Sequence, residues 1–68
     1  MAGLRNNLKA LRAAKGLTQA DLATAASVSR KTINTIENRV FVPSAVLALT
    51  LARVLDVPVE HIFELDDT

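Results

Sequence analysis

Apolar and polar residues recur along this chain with a helical period almost from end to end. Leu4, Leu8 and Leu11 stand at i, i+4 and i+7, and Lys15 followed by Gly16 supplies a cation and a residue tolerant of positive φ. The spacing predicts a first helix over about residues 4–15. Two further starts share one pattern. In LTQADLA, Thr18 is placed to cap the next turn, Asp21 stands three places later as a shortened capping box, and Leu17 faces Leu22 as a staple. In VSRKTIN, Ser29 is the cap, with Val28 and Ile33 as the staple pair. Helices are therefore predicted to begin at about Gln19 and Arg30.

Only residues 25–28 lie between those two helices, which is the length of a helix-turn-helix connection. On the second of them Ile33 and Ile36 face inward, so Arg30, Lys31, Asn34, Thr35 and Asn38 fall on or beside the opposite face. No acid stands three or four places before Arg30 or Lys31 to make an ordinary helical ion pair. Residues 39–43 read as a loop, and Pro43 with the cap Ser44 announces a fourth helix over residues 45–55. Its buried stripe is Leu47, Ala48, Leu51, Ala52 and Leu55, with Val46 and Leu49 on the far side. Pro58 suits the first position of a last helix that ends near Phe63, and the final DDT is expected to fray. The expectation is an all-α, compact five-helix bundle forming a single domain over 1–68, folded from about 4 to 65.

A chain of 68 residues builds one small core, burying roughly 60% of the surface the unfolded chain exposes. Ala, Leu and Val supply most of the apolar side chains and the aromatics are Phe41 and Phe63, which favours closely packed helices. There is no cysteine and His61 is the lone histidine, so neither a disulfide framework nor a usual zinc site is expected. Residues 1–16 lack the apolar run of a signal peptide, and no stretch reaches the roughly 20 apolar residues of a membrane span. A soluble, cytoplasmic protein is expected. Charge is unevenly distributed. Residues 1–55 hold all eight Lys and Arg against Asp21 and Glu37, a balance of +6, whereas residues 56–68 hold five acids and no base. One basic face with an anionic partner fits that asymmetry.

LTQADLATAASVSRKTINTIEN, with FVPS, LALTLARVL and VPVEHIF after it, resembles the Xre/Cro-like helix-turn-helix family of phage and bacterial repressors, over about Leu8 to Phe63. The resemblance implies a lambda-repressor-like DNA-binding domain in which helices 2 and 3 form the helix-turn-helix and helix 3 enters the major groove. Arg30, Lys31 and Asn34 then fall where family members touch base edges. Gln19 falls at a phosphate position, and Thr35, Asn38 and Arg39 fall along the DNA backbone. Arg12 matches a position that pairs with the acid corresponding to Glu37. The side-chain chemistry agrees, since Arg offers two donors to guanine, Asn pairs at two points with adenine, and Lys reaches guanine or phosphate. Where the family usually has glycine in the turn and after helix 3, this chain has Ser27 and Arg39, and Ala26 replaces a larger aliphatic.

The function so implied is a sequence-specific double-stranded DNA-binding transcriptional regulator of repressor type, acting by occupying an operator. Members of this kind commonly bind as two-fold dimers with half-sites about 34 Å apart. Apolar residues on the predicted surface, Phe41, Val46, Leu49 and Leu65, are candidates for a homodimer contact. A protein-interaction or antitoxin-like module on the same fold is the rival. Catalysis is not expected, because no nucleophile and base can be paired by spacing, and no cofactor, metal or small-molecule ligand is implied.

Overall fold

The computed structural model describes residues 3–66. Its elements in chain order are β1 (Gly3–Asn6), α1 (Leu8–Ala14), α2 (Gln19–Ala26), α3 (Arg30–Glu37), α4 (Ala45–Leu55), α5 (Val59–Ile62) and β2 (Phe63–Asp66). Hydroxyl caps start three of the helices. Thr18 Oγ1 accepts from the Asp21 amide at 3.0 Å while the Asp21 carboxylate accepts from the Thr18 amide at 2.9 Å. Ser29 Oγ and Ser44 Oγ accept from the Thr32 and Leu47 amides, each at 3.1 Å. Each such cap stabilises its helix by about 1 kcal/mol.

The helix ends share a second device. Gly16, Ser27, Arg39 and Asp56 take φ of 71, 60, 62 and 56°. After each, the next amide reaches back five residues: Leu17 to the Arg12 carbonyl, Val28 to Ala23, Val40 to Thr35 and Val57 to Ala52. This closure satisfies carbonyls that a helix end would otherwise leave unpaired. Only the first of the four left-handed residues is glycine, so Ser27, Arg39 and Asp56 each carry a cost of about 1 kcal/mol. The residues that follow, Leu17, Val28 and Val57, pack on the core. Val40 breaks the pattern and is 78% exposed.

The core is aliphatic and draws on all five helices: Leu8 from α1, Leu22 and Ala26 from α2, Ile33 and Ile36 from α3, Leu51 and Leu55 from α4, and Ile62 from α5. Helix α2 packs against α3 and α4, α4 against α5, and α1 against α3. Because α3 buries two isoleucines, its polar side is held outward by the same contacts that fill the core.

The five helices are present, but the all-α expectation is corrected by a two-stranded ribbon. Strand β1 runs antiparallel to β2, with Gly3 opposite Asp66, Leu4 opposite Leu65 and Arg5 opposite Glu64. The Leu4, Leu8, Leu11 spacing suits one long helix, yet Leu4 belongs to a strand of period two in which Leu4 and Asn6 are half-buried. Two asparagines turn the chain before α1 begins. Asn6 Oδ1 accepts from the Leu8 amide at 3.1 Å, and the Asn7 amide donates to the Ile62 carbonyl at 2.8 Å. At the other end Pro58 is the residue before α5 and not its first, and Phe63 is already extended. Of the DDT expected to fray, Asp66 lies in β2, and residues 67 and 68 lie outside the described residues.

Candidate nucleic-acid interface

Helix α3 presents Arg30, Lys31 and Asn34 to solvent in its first two turns. Neither Arg30 nor Lys31 has an ion pair among the described residues. Arg30 borders a cleft of about 610 Å³ with Arg12, Gly16, Thr18 and Gln19, so the start of α2 and the start of α3 open on one space.

The acid of α3 is withdrawn from that face. Arg12 Nε lies 2.7 Å from Glu37 Oε2, a terminal Arg12 nitrogen donates to Oε1 at 3.1 Å, and Gln19 Nε2 donates to the same Oε1 at 3.1 Å. Arg12 also donates to the Leu17 carbonyl at 2.9 Å. The Glu37 side chain is 4% exposed and that of Arg12 13%. Burial pushes the Glu37 carboxyl up, but hydrogen bonds from Arg12 and Gln19 and the charges of Arg12 and Lys9 outweigh it, leaving the group below its usual range. The hydrogen bond to Glu37 raises Arg12 in turn, against its own desolvation. A neutral, satisfied network therefore replaces what would be a carboxylate beside two cations.

The remaining candidates donate within the protein. Asn38 Nδ2 donates to both the carbonyl and the side-chain oxygen of Asn34. Thr35 Oγ1 donates to the Thr32 carbonyl at 3.0 Å. Arg39 Nε donates to the Leu4 carbonyl at 3.2 Å, and a terminal nitrogen lies 3.1 Å from Asp66 Oδ2. Sequence reasoning missed the roles of Asp66 and Leu4, because only the ribbon brings both chain ends to the end of α3. It also read Gln19 as a phosphate contact without seeing that its amide completes the Glu37 network. Large apolar side chains are also exposed: Val42 at 64%, Val46 at 76%, Leu49 at 59%, Leu65 at 62% on β2, and Phe41 at 46%, which lines a cleft with Lys31, Thr32 and Thr35 of α3.

A helix that closes on a left-handed residue and turns at once into a helix with a buried aliphatic side and a cationic outer side is a helix-turn-helix unit. The helix-turn-helix family profile matches residues 8–62, and the chain belongs to that Xre/Cro-like family of transcriptional regulators. An uncharacterised HTH-type transcriptional regulator of Methanocaldococcus jannaschii is 44% identical over 64 residues, covering 94% of this chain and 97% of that protein. The HTH-type regulator YgzD of Bacillus subtilis is 34% identical over 64 residues, with the same coverage of 94% and 97%. Among solved structures, the restriction-modification controller protein C.AhdI of Aeromonas hydrophila superposes with a TM-score of 0.76 at 35% identity, over 79% of this chain and 82% of that one. Among the described residues no helix is long and apolar enough to cross a membrane.

Proposed function

We propose that this chain is a sequence-specific double-stranded DNA-binding regulator, a repressor that occupies an operator and reads the major groove with α3. The observation that carries the proposal is the pairing of exposed Arg30 and Lys31, without an ion pair among the described residues, with an inward, neutralised Glu37 on one helix. Unpaired cations cost little in water and gain where they replace the condensed counterions of DNA. Arg30 and Lys31 then take guanine edges or phosphate. Asn34 Oδ1 keeps a second lone pair beside the Asn38 hydrogen bond, so the amide still offers an acceptor and donors to adenine.

Backbone contacts come from around this helix. The Gln19 side chain is committed to Glu37, so its first-turn main-chain N–H is the donor for a phosphate. Asn38 and Thr35, both at the far end of α3, add contacts by exchanging their internal hydrogen bonds for phosphate oxygens. The protein acts as a homodimer, which sets two α3 helices on half-sites about 34 Å apart.

Selection of sites from a random duplex pool tests the proposal directly. Enrichment of a two-fold symmetric sequence with half-sites about ten base pairs apart is the expected result. A pool that shows no enrichment, from a folded protein at low salt, overturns it and favours the interaction-module alternative.

A further inference from the structure

Arg39 leaves the end of α3 on a left-handed residue, and its guanidinium is then fixed at two points on the terminal ribbon. The Nε anchor is a main-chain carbonyl, Leu4 of β1, which orients the planar group whatever its terminal nitrogens bind. The terminal partner is the Asp66 carboxylate of β2. With side chains 50% and 27% exposed, this pair sits at the protein surface. A surface pair of this kind is weak, so a competing anion can replace it. The wider charge pattern agrees, since residues 56–68 bring five acids to a body that holds every base.

We propose that Arg39 is a phosphate-binding site whose occupant in the free protein is the Asp66 carboxylate, exchanged for a DNA phosphate on binding. The inference rests on the DNA-binding reading above. The carboxylate stands in for phosphate: both offer oxygens to the guanidinium fork, and phosphate carries its charge in a groove-side array of like neighbours. The Leu4 bond keeps the fork aligned through the exchange, so little side-chain freedom is lost when DNA arrives. Asp66 gives up its Arg39 contact, and that loss lowers the net affinity for every sequence alike. The acidic strand thus weakens non-specific binding through one identified contact, leaving the base-reading residues Arg30, Lys31 and Asn34 untouched.

A double-mutant cycle tests it, with Asp66→Asn, Arg39→Ala and their combination titrated against a random-sequence 20-base-pair duplex by fluorescence anisotropy over a range of salt. Glu60→Gln, an exposed acid of α5, is the control for the same change of charge. Thermal melts establish that each variant is folded, and Asp66→Ser repeats the test with a smaller side chain. Asp66→Asn is expected to tighten binding about threefold to fivefold at low salt, to steepen the salt slope by up to about one ion, and to lose this gain in the Arg39→Ala background. If Glu60→Gln tightens binding equally, or if the gain persists without Arg39, the exchange is overturned while DNA binding stands. A parent protein that binds no duplex overturns the DNA-binding reading and the exchange with it.

Discussion

Arg12 in α1 and Glu37 at the last turn of α3 are joined at two points, Nε to Oε2 at 2.7 Å and a terminal nitrogen to Oε1 at 3.1 Å. The same guanidinium holds the Leu17 carbonyl, and the same carboxylate holds the Gln19 amide. Four segments therefore meet at one part-buried charge pair: α1, the turn after it, the first residue of α2 and the end of α3. The pair fixes how α3 leans on the rest of the domain, and it turns the one acid of that helix inward, away from the exposed Arg30 and Lys31.

Removing one partner should cost far more than removing both. Arg12→Ala leaves the part-buried Glu37 carboxylate without its counter-charge, and a destabilisation of about 1–3 kcal/mol is expected in urea unfolding. Replacing the pair with Met at 12 and Leu at 37 should recover most of that loss, because apolar packing often matches a buried ion pair. A loss below about 1 kcal/mol for Arg12→Ala would mean that the pair behaves as a solvated surface contact.

The carboxyls give the stability a sign in pH. Glu37 is held below its usual range because hydrogen bonds and nearby cations outweigh burial, and the Thr18 amide and hydroxyl hold Asp21 down as well. A group whose folded pKa is depressed adds stability that is fully present above its unfolded value, about 4.3 for Glu and 3.9 for Asp. That stability is lost as pH falls from there through the lower folded values. Melting temperature should therefore be level around neutrality with respect to these groups and fall in acid. Glu37→Gln should show a shallower acid loss, and an unchanged acid limb in that variant would remove Glu37 from the account.

Ser27 is the cheapest place to gain stability. It closes α2 at φ 60° with a Cβ that the left-handed region disfavours, and its exposed side chain makes no hydrogen bond among the described residues. Ser27→Gly relieves about 1 kcal/mol of strain but adds freedom to the unfolded chain, so the net gain should be about 0.5 kcal/mol. The reverse change at Gly16, φ 71°, should destabilise. A lower melting temperature for Ser27→Gly would show that the turn is held by something other than backbone conformation.

How far the chain is legible follows from where each signal lies. The caps Thr18, Ser29 and Ser44 act within three residues, and the positions of α2, α3 and α4 can be read from them and from the Ile33 and Ile36 spacing. The left-handed closures at Ser27 and Arg39 were suggested by the resemblance, where glycine is usual. Residues 4–6 were misread because Leu4 satisfies a helical period by coincidence. Its strand exists only through pairing with residues 63–66, a partner about sixty positions away that no local pattern announces. The Asp66 contact of Arg39 was hidden for the same reason, because it spans 27 positions and depends on that ribbon. For the interface, the outward face of α3 is a matter of periodicity and could be read. The internal commitments of Gln19, Thr35 and Asn38 depend on side-chain geometry and could not.

Arg30 should carry base preference and not merely affinity. It has no ion pair to lose among the described residues, so Arg30→Ala should leave the melting temperature nearly unchanged. Binding to the selected site should weaken by about 1–3 kcal/mol, with a smaller effect on random duplex, so the ratio of the two falls. Lys31→Ala should act more evenly on both if it serves phosphate. An equal loss on cognate and random DNA for Arg30→Ala would take base reading away from that position.

The exposed aliphatic residues give the last prediction. Val46 and Leu49 lie three apart on α4 on the side away from the core, and Val40, Phe41 and Val42 of the preceding loop are exposed as well. The left-handed closure before Val40 usually brings the next apolar residue onto its own helix, yet Val40 is 78% exposed. Water-facing aliphatics in this number suit an interface that two copies share across a two-fold axis. Leu49→Glu places a charge among them without disturbing the core, since Leu49 is 59% exposed in the single chain. Sedimentation should shift from dimer to monomer. Affinity for a duplex with two half-sites should fall much more than affinity for one half-site, because only the former uses both copies at once. A parent chain that sediments as a monomer at high concentration, with and without operator DNA, would remove the dimer from the proposal.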